Sequence, residues 1–309
     1  MNADFSENTY YGYLVKGSLP EAIHYVKQFP EQAKRYQRFL EIFEKEQYMT
    51  YEADAWIHGI LLIYQKYYRD VFYLCMDRED AAARLQARLA VFLGIHDAGL
   101  KLCDLEQNQL AEAFQRKGFH FLGGRTSGYY GPYIWQTTET RTYEVELPEG
   151  TQPYTVRLLD GFLSRSWLDY LSFGEIGTGG WTDDEGIINC VKSSYDFHSE
   201  AFTVSLLKHE AQHARDLAVC KEMPSEELEY RAKLVELIYS VERDLLAQFA
   251  READHSDKNN GHAAAACRIL DGFARKLHLS PDELEKLPRG KVQAVANMLF
   301  TESALSFRI

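Results

Sequence analysis

The 309-residue sequence predicts an α+β fold that is mainly α-helical. Apolar residues recur at helical spacing through the first third of the chain and again after Ser199. From about Gly118, glycines and alternating polar and apolar residues are typical of short strands and turns. We therefore expect a helical N-terminal domain over residues 1–118. A second domain over residues 119–309 should hold a small, mostly antiparallel sheet followed by helices.

Start and stop signals place the helices of the first domain. Pro30 suits the first turn of a helix, Asp77 is a good N-cap, and Gly94 is a natural stop. With the apolar spacing, these signals predict helices over 21–28, 30–46, 51–76, 77–94 and 104–117.

The middle of the chain predicts a β-hairpin and further short elements. Residues 141–147 alternate polar and apolar, the turn residues Pro148-Glu149-Gly150 follow, and 154–159 alternate again. The segment then predicts a short helix over 164–171, a glycine-rich loop over 177–181 and a strand over 186–191.

The sequence His209-Glu210-Ala211-Gln212-His213 is the most specific motif in the chain. On a helix, its two histidines lie one turn apart on one face, where they can bind a single metal ion. Ser199 is a plausible N-cap and no Pro or Gly interrupts the segment up to Cys220, so we expect one helix over 199–220. This H-E-x-x-H pattern is that of zinc hydrolases, in which the glutamate acts on a water at the metal.

A third ligand has to come from elsewhere in the chain. The metzincin continuation needs Gly and then His or Asp, whereas Asp216 and Val219 stand there. A second helix starts at Pro224-Ser225, and its sequence Glu229-Tyr230-Arg231-Ala232 matches the Glu-x-x-Ala of the gluzincins, the thermolysin-like zinc peptidases. The chain resembles that family, and the resemblance implies Glu229 as third ligand. Glu227 is the alternative.

The support of the ligands departs from the family pattern. Many gluzincins carry Asp or Asn four residues after the ligand glutamate, and here Lys233 stands there. Asp216 could orient an imidazole instead, because ligating histidines usually donate their free N–H to a carboxylate or carbonyl. Glu229 also shares a helical face with Lys233, Glu236 and Ser240, a pattern typical of a solvent-facing stripe.

The resemblance implies a zinc metallopeptidase. Zn²⁺ held by His209, His213 and Glu229 would bind a water, and Glu210 would act as general base. The residue that stabilises the oxyanion stays open among Tyr230, Tyr239, His255 and His262.

The resemblance also implies that the substrate backbone pairs with an edge strand of the sheet. The strand at 187–191 would be that edge strand, unless it lies inside the sheet. Two other functions remain open: a catalytically silent scaffold or regulatory binding domain, and a zinc hydrolase of a non-peptide amide.

Composition narrows the partners. A net charge of −12 argues against binding nucleic acid or anionic lipid. The N-terminus lacks the basic and apolar pattern of a signal peptide, and the five cysteines are scattered without a C-x-x-C pair, so we expect a cytoplasmic protein with no membrane span. The expected partner is a peptide or protein substrate, with a possible protein partner on the N-terminal helices.

The last predicted helices cover 262–277 and 291–304, with a capping box at 280–283.

Overall fold

The computed structural model describes residues 4–51, 54–96, 99–241, 244–255, 260–284 and 286–305. It is α+β and mainly α-helical, as the sequence predicts. The chain divides into two compact units. The N-terminal unit comprises Met1–Thr137 and Asp160–Thr178, and the C-terminal unit comprises Thr138–Leu159 and Gly179–Ile309.

This division differs from the predicted boundary at residue 118. Tyr129, Ile134 and Trp167 lie beyond that boundary, yet they are buried in the same core as the N-terminal helices. Burial of large aromatic surface therefore assigns these segments to the N-terminal unit, although their local pattern is that of strands and turns.

Helices form most of the N-terminal unit, and several continue into a π-helical turn. The α-helices are α1 Glu7–Val15, α2 Leu19–Lys27, α3 Ala33–Phe39, α4 Ala55–Tyr68, α5 Arg78–Leu93, α6 Leu102–Asp104 and α7 Ala111–Arg116. The π-helical turns are Leu40–Glu44, Arg69–Tyr73 and Leu105–Leu110, and the 3₁₀ turn is Pro30–Gln32. Helix α1 was not predicted from the sequence.

Caps decide where these helices begin and end. The side chain of Asp77 accepts hydrogen bonds from the backbone N–H groups of Glu79 and Asp80, and Gly94 ends α5 with φ at 68°. The Asp77 cap and the Gly94 stop are both as predicted. Asp54 caps α4 by accepting from the backbone N–H of Ile57, so this helix begins at Ala55 and not at residue 51.

Short strands and one helix complete the N-terminal unit. The strands are β1 His120–Leu122, β2 Arg125–Thr126, β3 Tyr129–Tyr130, β4 Tyr133–Trp135 and β7 Ser164–Arg165, and the helix is α8 Ser166–Leu171. Strands β1, β4 and β7 form one antiparallel sheet, and β2 pairs with β3 in another.

A four-stranded sheet lies in the C-terminal unit. Its strands are β5 Thr137–Leu147, β6 Gly150–Asp160, β8 Gly180–Thr182 and β9 Ile188–Val191, in the order β5-β6-β9-β8. The predicted hairpin is present as β5 and β6. Strand β9 pairs with β6 in parallel and with β8 antiparallel. The predicted strand near 187–191 is therefore internal, and part of the predicted loop over 177–181 is the edge strand β8.

Helices form the rest of the C-terminal unit. They are α9 Glu200–Thr203, α10 Leu207–Val219, α11 Ser225–Tyr239, α12 Leu245–Glu252, α13 Gly261–Leu277, α14 Pro281–Leu284 and α15 Arg289–Leu305. The single helix predicted over 199–220 was wrong. Ser199 caps only the short α9, and α10 begins separately at Leu207. Helix α11 lies centrally, against α10, α13 and α15. In the part of the chain that the structure describes, no helix is long and apolar enough to cross a membrane.

A buried arginine joins several of these elements. Arg231 on α11 is 4% exposed, and its guanidinium donates to Asp216 Oδ2 on α10 at 2.8 Å. It also donates to Glu149 Oε1 in the β5–β6 turn at 2.7 Å and to Ser303 Oγ on α15 at 2.8 Å. Burial raises the pKa of Asp216, and Arg231 opposes that shift. One guanidinium thus satisfies polar groups from three other elements.

A buried carboxyl group plays a comparable part in the N-terminal unit. Glu106 is 1% exposed. Its Oε1 accepts a hydrogen bond from the Tyr64 hydroxyl at 2.5 Å, and its Oε2 accepts one from the backbone N–H of Gly124 at 2.9 Å. Burial raises the pKa of Glu106 to about 7, although both hydrogen bonds oppose the shift.

We predict that Arg231→Met destabilises the protein by about 3 kcal/mol, because the substitution leaves Asp216 buried without its cation. The free energy of unfolding from denaturant titration measures the loss. Arg251→Met, at an exposed position on α12, is the matched control and should change that free energy by less than about 0.5 kcal/mol. A loss for Arg231→Met no larger than that of the control would contradict the assigned role.

We also predict that Glu106 makes stability fall with rising pH. The folded chain retains the Glu106 proton up to about pH 7, whereas the unfolded chain releases it near 4.5. The stabilisation is therefore complete below about pH 4.5 and is lost as pH rises to about 7, over a range of the order of 3 kcal/mol.

Glu106→Gln should abolish this component, and Glu31→Gln, at an exposed position, should retain it. The measurement is the free energy of unfolding of each variant between pH 4.5 and 7.5. Parallel curves for wild type and Glu106→Gln would show that Glu106 does not titrate in this range.

Candidate metal centre

Two histidines of α10 face each other across one helical turn. His209 and His213 are 7% and 9% exposed, and their Nε2 atoms lie 2.9 Å apart. The H-E-x-x-H sequence therefore lies on a helix, as predicted. Because both Nε2 atoms point into one space, they can donate lone pairs to one ion.

Glu229 of α11 completes a group of three possible ligands. Its Oε2 lies 3.4 Å from His209 Nε2, and its Oε1 lies 3.5 Å from His213 Nε2. One ligand atom from each residue falls within a span of 4.8 Å. Ligand atoms held about 2.1 Å from a tetrahedral zinc ion are about 3.4 Å apart, so the spacing suits such an ion.

The alternative ligand, Glu227, points away from this group. Its carboxylate pairs with Arg268 of α13. Residues 227 and 229 differ by about 200° around the axis of α11, so one helix cannot present both to the same point. The structure brings Glu229, and not Glu227, to the two histidines.

The carboxylate that orients a histidine is Glu236. Its Oε1 lies 2.8 Å from His209 Nδ1, and it is 5% exposed. A proton on Nδ1 leaves the lone pair of Nε2 free for a metal. Glu236 follows Glu229 by two helical turns, so it occupies the same face of α11. The sequence places Glu229 and Glu236 on one helical face, but the polar residues of that face predicted a solvent-facing stripe.

Two predictions about the residues around the possible metal ligands were wrong. Asp216 does not orient an imidazole, because its carboxylate accepts from Arg231 and from the Gln212 amide at 2.9 Å. The face shared by Glu229, Lys233, Glu236 and Ser240 is not a solvent-facing stripe, because the last three are 4%, 5% and 5% exposed. Lys233 donates to Glu252 Oε2 of α12 at 2.7 Å.

Electrostatics couple the histidines to their carboxylates. Burial favours a lower pKa for His209, but hydrogen bonds to Glu229 and Glu236 outweigh it and raise the pKa to about 10. Burial likewise favours a higher pKa for Glu229, yet contacts with His209, His213 and His262 hold its pKa far below the usual range. Glu236 also has a lowered pKa, because His209 outweighs its burial. The carboxylates of the site are thus held in the anionic form, and a metal ion would have to displace the proton that the raised pKa leaves on His209 Nε2.

The donor set passes a chemical test for zinc. Two imidazole nitrogens and a carboxylate form one of the usual ligand combinations of catalytic zinc, which leaves a fourth position for water or substrate. His213 Nε2 lies beside His209 Nε2 and Glu229 Oε1, so it is the nitrogen of His213 that can bind the same ion. His213 Nδ1 is buried and has no hydrogen-bond partner among the described residues.

Glu210 receives a hydrogen bond from the edge strand. The Thr182 hydroxyl lies 2.7 Å from Glu210 Oε2 and 3.0 Å from the backbone oxygen of Glu210. Glu210 is 9% exposed. Sequence reasoning missed Thr182, because it follows a glycine-rich segment that predicts a loop.

His262 is the candidate for oxyanion stabilisation that lies beside the three possible ligands. Its Nδ1 is 2.9 Å from Glu229 Oε2, and its ring is stacked on His209 at 6.4 Å between centroids. Its side chain is 54% exposed. Tyr230 is instead buried beneath Arg268, and Lys208 covers the ring of Tyr239.

His255 lines a different space, a polar cavity of about 680 Å³. That cavity lies along α11, α13 and α15, and Tyr230, Arg268 and Arg275 also line it. Of its described lining residues, none belongs to the group of His209, His213 and Glu229. This cavity is large, but the histidine group offers the ligand atoms that a metal ion needs. The histidine group is therefore the candidate metal centre.

Comparison with known proteins returned no relative. No protein-family model matches the chain, and no curated protein or solved structure matches it significantly.

We predict that Glu236→Gln weakens zinc affinity by about 10- to 100-fold, because the charge that orients His209 is lost. A competition titration with a chelating dye measures the affinity. Glu226→Gln, at an exposed position on the same helix, is the control and should bind zinc like the wild type. Equal affinities in the two variants would exclude an orienting role for Glu236.

Proposed function

We propose that this protein is a zinc-dependent metallopeptidase that hydrolyses peptide bonds. The observation that supports the proposal best is the geometry of the H-E-x-x-H helix. It brings two histidines and a glutamate from a second helix within 4.8 Å, with Glu210 on the same helix as the histidines. A purely structural zinc site has no need of such a base and is usually closed by four protein ligands.

His209, His213 and Glu229 would hold the zinc ion in this proposal. When bound, zinc would polarise the scissile carbonyl as a Lewis acid and lower the pKa of water at its open position. Glu236 keeps the proton of His209 on Nδ1 through the 2.8 Å contact, so that Nε2 remains a ligand.

Glu210 is the general base of this proposal. Its carboxylate would take a proton from the attacking water and return it to the leaving nitrogen. The Thr182 hydroxyl donates to Glu210 Oε2 at 2.7 Å. That contact holds the carboxylate in one orientation.

His262 is our candidate for the group that stabilises the oxyanion. It stands beside Glu229 and is half-exposed, so a substrate can approach it. An imidazole N–H placed near a developing negative charge stabilises the transition state more than the ground state. Tyr230 is buried in contact with Arg268, which makes it less suitable.

The edge strand β8 is the proposed docking edge for an extended peptide. Gly179 accepts from Val191 N–H, and Asp183 N–H donates to Ile187, so odd-numbered residues pair with β9. Pairing alternates in an antiparallel ladder, so the backbone groups of Gly180 and Thr182 face the other edge. No described strand pairs there. A peptide added at that edge would lie beside Thr182, which contacts Glu210.

We predict that Glu210→Gln retains zinc but loses about 10²- to 10⁴-fold in peptide hydrolysis, because the general base is removed while the ligands remain. A library of quenched fluorescent peptides gives the activity, and elemental analysis gives the zinc content. Glu185→Gln, at an exposed position before β9, is the matched control.

His213→Ala completes the test, because it removes a ligand and should abolish stoichiometric zinc. Full activity in Glu210→Gln would disprove the base assignment. Stoichiometric zinc in His213→Ala would disprove the ligand assignment. A zinc-loaded wild-type protein that cleaves no peptide of the library would contradict the proposed activity.

A further inference from the structure

Strand β5 forms the second edge of the four-stranded sheet, opposite to β8. It is eleven residues long, whereas most strands have about five or six. It pairs with β6 on one side, and no described strand pairs with it on the other. Residues 137–142 are exposed. Backbone N–H and C=O groups along this side are therefore open to a further strand.

The sequence of β5 does little to prevent such pairing. Soluble proteins commonly block a sheet edge with proline or with lysine, and β5 contains neither. Four of its residues are threonine, which is common in strands. In the exposed segment the two charged residues, Glu139 and Arg141, are of opposite sign. A second copy of the same edge would therefore not be repelled by charge of a single sign.

The exposed segment is complementary to itself in the antiparallel direction. When Thr140 lies opposite Thr140 of a second copy, Glu139 of each copy lies opposite Arg141 of the other. The remaining pairs join threonine to threonine or tyrosine: Thr138 with Thr142, and Thr137 with Tyr143. Opposite charges, two threonines, and an aromatic with a β-branched residue are the cross-strand pairs that stabilise a sheet.

The two charged side chains lie on one face of β5, where partners from a second copy would meet them. The guanidinium of Arg141 lies 5.6 Å from the ring centre of Phe197. It also donates to Glu139 Oε1 at 2.7 Å, and Glu139 Oε2 lies 3.5 Å from Lys192 Nζ. Glu139 and Arg141 remain 47% and 41% exposed. Opposite residues of antiparallel strands point to the same face, so each charge can contact its counterpart in the second copy.

Other registers lack this complementarity. A pair centred on Glu139 or on Arg141 places a charge opposite an identical charge, which is destabilising. A pair centred on Thr138 or Thr142 leaves both charges opposite uncharged residues. The charge pattern therefore selects one register, with Thr140 at its centre.

We propose that two copies of this chain pair antiparallel through β5, with Thr140 at the two-fold axis. The interface is isologous, because each copy contributes the same segment, residues 137–143. The result is a continuous sheet of eight strands, four from each copy. Strand β8 forms the far edge of each half, so the pairing does not use the edge proposed for substrate.

Sedimentation velocity of the full-length chain between about 1 and 200 µM tests the proposal, because a small interface of this kind is expected to be weak. The wild type should shift from monomer to dimer over this range. Glu139→Arg and Arg141→Glu each place like charges opposite one another at two symmetric positions. Each variant should raise the dissociation constant of the dimer by about tenfold or more.

Charge exchange gives the sharper result. An equal mixture of Glu139→Arg and Arg141→Glu should form a heterodimer, because every charged pair between the two chains is then of opposite sign. The double variant Glu139→Arg/Arg141→Glu should likewise recover dimerisation. Glu144→Arg changes an exposed charge of the same strand outside residues 137–143, so this control should dimerise like the wild type.

Three results would overturn the proposal. They are a wild type that stays monomeric at about 200 µM, single variants that dimerise like the wild type, and a loss that neither the mixture nor the double variant restores. Thr140→Lys is an independent variant should a charge exchange prevent folding. It places two ammonium groups together at the two-fold axis and should weaken the dimer as well.

Discussion

The contact between α10 and α11 is the constraint on which the C-terminal unit depends, and Arg231 holds it. Its ion pair with Asp216 joins the two helices away from the histidines, while Glu236 and His209 join them at the candidate metal centre. A ligand set drawn from two helices requires that neither helix slides or rotates, because a shift of 1 Å would spoil metal geometry. Arg231 also bonds the β5–β6 turn and α15, so the same guanidinium connects this helix pair to its surroundings.

Burial of charge on α11 has a physical logic. Lys233, Glu236 and Arg231 are each about 4% to 5% exposed, and each has a partner of opposite charge or a histidine on another element. Such pairs contribute little net stability against apolar replacements, but loss of one partner is severe. They therefore favour one arrangement of helices over other arrangements with equally apolar cores.

The two units use different chemistry in their interiors. The N-terminal unit buries tyrosines together with the carboxyl groups of Asp70 and Glu106 and four hydroxyls that lack partners among the described residues. The C-terminal unit buries paired charges around histidines. A protonated Glu106 suits the aromatic interior because a neutral acid requires less solvation than a carboxylate. Paired charges suit the other interior because a charge that is removed from water needs a partner of opposite sign.

The sequence by itself determined the fold class, most of the helices and the H-E-x-x-H pattern, because these depend on local spacing and caps. Asp77 and Gly94 define the two ends of α5 in this way. His209 and His213 lie on one face of a helix because they are four residues apart. The sequence could not determine that 177–181 contributes an edge strand, because strand pairing depends on distant partners. Only the tertiary structure separated Glu229 from Glu227 and identified Glu236, because helix packing decides which side of α11 faces α10.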